Sequence, residues 1–159
     1  MKKTALQETI IGKLEAALGQ AIRAADEAKA TATHKENVAE NKYDTLGLEA
    51  AYLAHGQSER AIQLNEELAA FQALNSQTDE HVTVAVGSLV QLDNDAGGST
   101  FFYIGPAAGG LVVSLEGHSV VIITPESPFG QTLTGRRIED EIVKSTPNGD
   151  ETLTIVGLW

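Results

Sequence analysis

The chain contains no cysteine, one tryptophan and few aromatic side chains of any kind. The absence of cysteine excludes disulfide bonds and thiolate metal sites. No uninterrupted apolar run approaches the roughly 20 residues that a membrane-spanning helix needs. The residues that follow Lys2 and Lys3 do not form the apolar core of a signal peptide. These absences predict a cytoplasmic protein that makes no contact with a membrane.

Basic residues are also scarce, because 11 lysines and arginines stand against 22 acidic residues, for a formal charge of −11. Residues 75–159 hold only 3 of the basic residues and 11 of the acidic ones, a net charge of −8. Since nucleic-acid backbones are bound by Lys and Arg, this half is not expected to bind nucleic acid by itself. A protein partner with basic patches fits the charge better.

The N-terminal half has helical periodicity. Apolar and small residues recur at steps of three and four, at Ile11, Leu14, Leu18, Ala21, Ala25 and Ala28, and again at Leu46, Ala50, Leu53, Ala61, Leu64, Leu68 and Phe71. Such spacing predicts two helices of roughly 25–30 residues that pack along a heptad seam. The large residues lie at the start of the first stripe and at the end of the second, so we expect an antiparallel hairpin.

The C-terminal half has the pattern of a sheet. A polar, turn-prone segment at 75–81 is predicted to link a hairpin domain at 1–74 to a second domain at 82–159. Ser127-Pro128 predicts the start of a short helix that Gly135 ends. Short apolar or alternating runs predict strands at 82–86, 89–92, 100–104, 111–113, 120–123, 142–144 and 152–156. We therefore expect an α+β protein whose second domain is a strongly bent antiparallel sheet with one short helix.

Acidic side chains concentrate between the two predicted helices. Glu36, Glu40 and Asp44 lie there within nine residues. At the far end of an antiparallel hairpin they would be held away from the protein's own core, where they can reach into a partner. The alternative is that they are ordinary solvated charges, with Asn37 or Asn41 capping the second helix.

Two segments resemble the Gre family of bacterial transcript-cleavage factors. Residues 37–41, Asn-Val-Ala-Glu-Asn, are similar to the family's Asp-Leu-Ser-Glu-Asn tip. Residues 127–136, Ser-Pro-Phe-Gly-Gln-Thr-Leu-Thr-Gly-Arg, are similar to its Ser-Pro-x-x-x-x-Leu-x-Gly-Lys segment, and residues 150–155 resemble its closing strand. The order of a helical hairpin and a small β-rich domain also resembles the family, so the resemblance covers nearly the whole chain.

The resemblance implies a partner, a fold and a set of site residues. Family members insert the hairpin into the secondary channel of RNA polymerase and dock the second domain, which resembles the FK506-binding fold (FKBP), at the channel entrance. Glu40, assisted by Glu36, is then expected to share a Mg²⁺ ion with the polymerase active site and to promote hydrolysis of backtracked RNA. The chain would be a monomer that binds no cofactor alone, contacts nascent RNA only indirectly and is not itself an enzyme. The residues expected to contact the polymerase are Ser127, Pro128, Phe129 and Asp44.

Asn37 departs from the family pattern, because it stands where the first tip aspartate is expected. An amide lacks the charge that favours Mg²⁺ binding, so a second hypothesis is a Gre-like regulator that occupies the channel without promoting cleavage. A prolyl isomerase and a coiled-coil adaptor without polymerase are further alternatives. Phe101, Phe102 and Tyr103 are consecutive and must alternate across a strand, which disfavours the aromatic pocket of an isomerase. The histidines at 34, 55, 81 and 118 lack metal-ligand spacing.

Overall fold

The computed structural model describes residues 3–34, 45–74, 82–147 and 149–159. The predicted linker at 75–81 lies outside the described residues. Within these ranges, no helix combines the length and the apolar character needed to cross a bilayer.

Two long helices precede a sheet with one short helix. The helices are α1 (Lys3–Thr33), α2 (Leu46–Ala73) and α3 (Pro128–Leu133). The strands are β1 (Leu89–Asn94), β2 (Ser99–Ile104), β3 (Val112–Leu115), β4 (His118–Ile123), β5 (Glu141–Thr146) and β6 (Gly149–Leu158). The α+β architecture expected from the sequence is confirmed.

The six strands form one sheet in the order β3-β4-β2-β1-β6-β5. Neighbouring strands are antiparallel except β2 and β4, which run parallel because the chain leaves β2, forms the edge strand β3 and returns between them. The strand predicted at 82–86 is absent. Val84 instead pairs with the turn after α3, donating its N–H to the Arg136 carbonyl at 2.8 Å and accepting the Gly135 N–H at 2.8 Å.

The two faces of the sheet are covered differently. On one face, α3 packs over the main apolar cluster, which comprises Val84, Val90, Leu92, Phe102, Ile104, Leu133, Ile142, Leu153 and Ile155. Tyr103 alternates with Phe102 and therefore points to the other face. There it stacks on Phe71 of α2, with ring centroids 6.3 Å apart. Burial in this apolar contact raises the pKa of Tyr103 to about 12.

The chain divides into two compact units, one formed by residues 1–11 with 70–159 and the other by residues 12–69. The first turns of α1 and the last turn of α2 thus belong with the sheet. Within that unit the buried Gln7 donates from Nε2 to the Phe71 carbonyl at 2.8 Å and to the Leu74 carbonyl at 3.0 Å. Carbonyls at a helix C-terminus have no hydrogen-bond partner inside the helix. Gln7 therefore supplies a donor to two carbonyls at the C-terminal end of α2.

The unit at 12–69 is a helical hairpin whose seam has large side chains at one end and small side chains at the other. Buried positions run from Leu14 through Ala21 to Ala28 on α1, and from Leu68 back to Ala50 on α2. The predicted seam positions Leu46 and Leu53 are wrong, since they are 51% and 56% exposed. Gly47 and Ala54, each one residue further along, are half-buried in their place. The seam at this end is therefore built from alanine and glycine, which let helices approach closely.

Candidate functional site

The segment that connects the two helices carries the acidic residues singled out in the sequence. Helix α1 ends at Thr33 and α2 begins at Leu46, so residues 34–45, here called the connecting segment, join them. Glu36, Asn37, Glu40 and Asp44 lie outside the described residues. The structure therefore shows which two helices the connecting segment joins. The position of the four side chains stays a prediction.

Thr45 precedes the first residue of α2. Its Oγ1 donates to the Glu49 carboxylate at 2.8 Å, and its carbonyl accepts the Glu49 N–H at 2.8 Å. A glutamate in the first turn is also favoured by the helix dipole. Helix α2 begins at Leu46, and Asn37 and Asn41, the alternative caps considered for it, lie outside the described residues.

The second candidate region is the docking segment, residues 127–136, which contains α3. Ser127 caps α3 by accepting the Gly130 N–H at 3.1 Å, and its hydroxyl donates to the Thr124 carbonyl at 2.7 Å. Pro128 occupies the first helical turn, as the sequence predicted, where its missing N–H costs nothing. The helix ends at Leu133 with Thr134 as its C-cap, and Gly135 follows with a φ of 82° that few other residues adopt readily.

Gly130 allows the docking segment to fold back tightly. A Cβ at this position would overlap the carbonyl oxygen of Thr124 and lie 2.8 Å from Ser127 Oγ. Only glycine lets the start of α3 approach this backbone so closely. The Ser-Pro-Phe-Gly sequence therefore encodes a cap, a helix start and a close contact in four consecutive residues.

Phe129 and Lys144 border a groove beside α3. Phe129 is half-buried, with its ring against Phe102 at a centroid distance of 5.1 Å in an edge-to-face arrangement. The Lys144 ammonium lies 5.7 Å from the Phe102 centroid and 5.6 Å from that of Phe129, a distance at which cation–π attraction operates. The groove has a volume of about 300 Å³ and is lined by Pro128, Phe129, Thr132, Val143, Lys144 and Ser145.

The groove brings together residues that sequence reasoning found and residues that it missed. Pro128 and Phe129 came from the motif, whereas Val143 and Lys144 reach the groove because β5 packs beside α3. Lys144 is one of only three basic residues after position 74. That scarcity is the feature of the sequence that could have singled it out as a groove residue. Exposed Pro128 and Val143, together with the half-buried Phe129, give the groove an apolar rim suited to a protein partner.

Within residues 3–34, 45–74, 82–147 and 149–159, no group of three or more His, Asp or Glu side chains is placed to hold a metal ion. The aromatic residues do not form one cluster. Phe101 lies against His118 at 4.7 Å, whereas Phe102 lies against Phe129 on the other face of β2.

No protein-family model and no curated protein matches this chain. Solved structures do resemble it. The crystal structure of GreA factor homolog 1 (Gfh1) of Thermus thermophilus is 20% identical, with 94% of each chain covered and a TM-score of 0.40. Thermus aquaticus Gfh1 is 22% identical over 92% of each chain, with a TM-score of 0.39. The prokaryotic transcription elongation factor GreA/GreB from Nitrosomonas europaea is 22% identical over 65% of this chain and 78% of its own, with a TM-score of 0.40. At these values the similarities assign neither a family nor an activity.

Proposed function

We propose that this chain is a Gre-like elongation factor that binds RNA polymerase, inserts its hairpin into the secondary channel and stimulates hydrolysis of backtracked RNA. The observation that carries the proposal is the helical hairpin whose connecting segment bears Glu36, Glu40 and Asp44. A 28-residue helix such as α2 is about 42 Å long at about 1.5 Å per residue. A pair of such helices is slender and long enough to carry acidic side chains deep into a channel of another macromolecule.

The proposed chemistry belongs to the polymerase, and the chain contributes oxygen ligands. Mg²⁺ is usually held by one or two carboxylates together with waters and phosphates. Glu40 is proposed as the carboxylate lent to a Mg²⁺ ion shared with the polymerase, and Glu36 as its assistant. A second metal ion supplies stabilisation of the attacking and leaving oxygens in phosphoryl transfer.

The docking segment is proposed to hold the sheet unit at the channel entrance. Ser127 fixes the start of α3, Pro128 is exposed, and Phe129 borders the adjacent groove. Asp44 is proposed to contact the polymerase from the base of the connecting segment. Support for this assignment comes from the match of residues 127–136 to the Ser-Pro-x-x-x-x-Leu-x-Gly-Lys pattern and from the rigid capping geometry of Ser127.

Asn37 favours a second candidate function, a Gre-like regulator that occupies the channel without promoting cleavage. The position calls for a carboxylate if two acids are to share the metal ion, and asparagine contributes only a neutral oxygen. With one carboxylate instead of two, the hairpin would bind the polymerase and the shared Mg²⁺ would be held less well.

A transcript-cleavage assay on halted, backtracked elongation complexes separates the two. The assay compares the wild-type chain with Glu40→Ala and Asn37→Asp at saturating concentration, using the cognate polymerase. The leading proposal predicts shortened transcripts with the wild type and loss of the effect with Glu40→Ala. If the wild type leaves the transcript intact and Asn37→Asp gains cleavage, the regulator is the better account. If the wild type and both variants leave the transcripts intact and none of them binds in the secondary channel, both proposals are wrong.

A further inference from the structure

Helix α2 has large apolar side chains on its outer face where its seam has only small ones. Leu48 and Tyr52 are 57% and 70% exposed, although Ala50 and Ala54 of the same turns face the seam. Ile62 is 56% exposed further along the same helix. A soluble hairpin would ordinarily bury residues of this size in its seam and leave the small ones outside. In α2 these large apolar side chains are instead on the exposed side of the helix.

The exposed residues recur at helical spacing. They belong to a row at steps of four and three that we call the outer stripe, made of Leu48, Tyr52, His55, Glu59, Ile62 and Glu66. Residues spaced in this way lie along one line of a helix and suit a second helix packed nearly parallel to it. The outer stripe therefore has the geometry of a second seam.

Apolar surface also borders the outer stripe at Ile62. A groove of about 340 Å³ lies there, lined by Leu18, Ile22, Ala61, Ile62, Asn65 and Glu66. Ile22 of α1 is itself 47% exposed. A large side chain of a partner helix would fit between Ile22 and Ile62, which bury more surface together than either does alone.

The charges of the outer stripe define the partner's chemistry. Glu59 and Glu66 are exposed, and no ion pair or hydrogen bond occupies them within the described part of the chain. The nearby Glu67 differs, because it accepts from Gln63 Nε2 at 2.9 Å and lies 4.0 Å from the Arg60 guanidinium. The carboxylates of Glu59 and Glu66 on the outer stripe are therefore available to pair with Lys or Arg side chains of a partner.

We propose that the outer stripe packs against a helix of RNA polymerase that presents apolar side chains, with Lys or Arg in register with Glu59 and Glu66. The inference rests on the proposed function, and it names which face of the hairpin touches the polymerase and with what chemistry. Leu48, Tyr52 and Ile62 supply the buried contact, and the two glutamates set orientation and partner choice. The docking segment then provides a separate contact from the sheet unit.

The test measures binding of the full-length chain to core RNA polymerase by fluorescence anisotropy. Two stripe variants are used, the apolar Tyr52→Ser/Ile62→Ser and the charge-reversing Glu59→Lys/Glu66→Lys. Each has a matched control on the same hairpin but off the stripe. Leu53→Ser removes an equally exposed leucine, and Glu27→Lys reverses an exposed acid of α1. Circular dichroism verifies that each variant keeps the helical content of the wild type.

The inference predicts that each stripe variant weakens binding by roughly tenfold or more, as expected when anchors of an interface are removed, while the controls change it less than about twofold. Wild-type affinity in both stripe variants, with Phe129→Ala still weakening binding, overturns the inference and leaves the proposed function standing. Failure of the wild type to bind polymerase at all rejects the proposed function itself. Sedimentation showing a wild-type dimer that the stripe variants dissociate assigns the stripe to a second copy of the chain, and also overturns the inference.

Discussion

Gly130 is the position at which a single added methyl group tests the geometry of the docking segment. In Gly130→Ala the new Cβ would overlap the Thr124 carbonyl oxygen and press on Ser127 Oγ. The carbonyl is part of the backbone, so no side-chain rotation relieves the overlap. Either the backbone at Thr124, which follows β4, or the start of α3 must move, and such a movement breaks the contact by which Ser127 caps the helix.

The expected cost follows from three contributions. Forcing a methyl group into a packed site costs about 1–3 kcal/mol, and loss of the Ser127 cap adds about 1 kcal/mol. The better helix propensity of alanine returns up to about 1 kcal/mol. Gly130→Ala should therefore destabilise the sheet unit by about 1–4 kcal/mol. For a unit of this size, each kcal/mol lowers the unfolding temperature by about 4–8 °C.

Trp159 provides the assay, because it is the only tryptophan and belongs to the sheet unit. Thermal and urea unfolding followed by its fluorescence report on the unit that contains Gly130. The matched control is Gly109→Ala, whose Cβ would approach the same Thr124 at its methyl group, at an ordinary contact distance of 3.4 Å. This control should unfold close to the wild type. Gly130→Ala unfolding at or above the wild-type temperature would refute the reasoning.

Two further predictions concern buried groups of the sheet unit. The pKa of Tyr103 is raised from 10.0 to about 12, so the stabilising contribution of the protonated phenol is complete below pH 10 and is lost as pH rises towards 12. At pH 11 the wild type should have lost about 1.4 kcal/mol of unfolding free energy relative to Tyr103→Phe. The loss is measured as the change, between pH 8 and pH 11, in the difference between their urea-unfolding free energies, and an unchanged difference contradicts burial of the phenol. Gln7→Glu removes both hydrogen bonds to the end of α2 and buries a carboxylate beside two carbonyls, so it should cost at least about 3 kcal/mol at pH 7 and partly recover at pH 4. The exposed Gln20→Glu should change stability by less than about 0.5 kcal/mol, and equal effects of the two substitutions would show that Gln7 does not hold α2.

The helices and most strands could be predicted because their patterns are local. The steps of three and four along the first half determine two helices, and Ser127-Pro128 determines the start of α3. The register of α2 at its N-terminal end was predicted wrongly because Leu46 and Leu53 fit an apolar template better than Gly47 and Ala54 do. Close helix approach selects small residues in the seam, and that preference depends on the partner helix rather than on the α2 sequence.

Long-range pairing explains the other differences. Val82–Val86 has the composition of a strand, yet Val84 pairs with the turn at Gly135 and Arg136 instead. The parallel pairing of β2 with β4 depends on the return of the chain through β3, which no local pattern encodes. Lys144 reaches the groove by Phe129 for the same reason, since strand neighbours are set by the whole sheet.

The central claim is that the connecting segment reaches the catalytic centre of RNA polymerase. It is tested most directly by replacing Glu40 with a photo-crosslinking amino acid and irradiating halted elongation complexes, with the same amino acid at the exposed Ser58 of α2 as the reference. The account predicts crosslinks from position 40 to the active-site region of the polymerase or to the RNA 3′ end, and crosslinks from position 58 to other surfaces. Crosslinks from position 40 that stay on the outside of the polymerase, or none at all while the docking segment still binds, would contradict it.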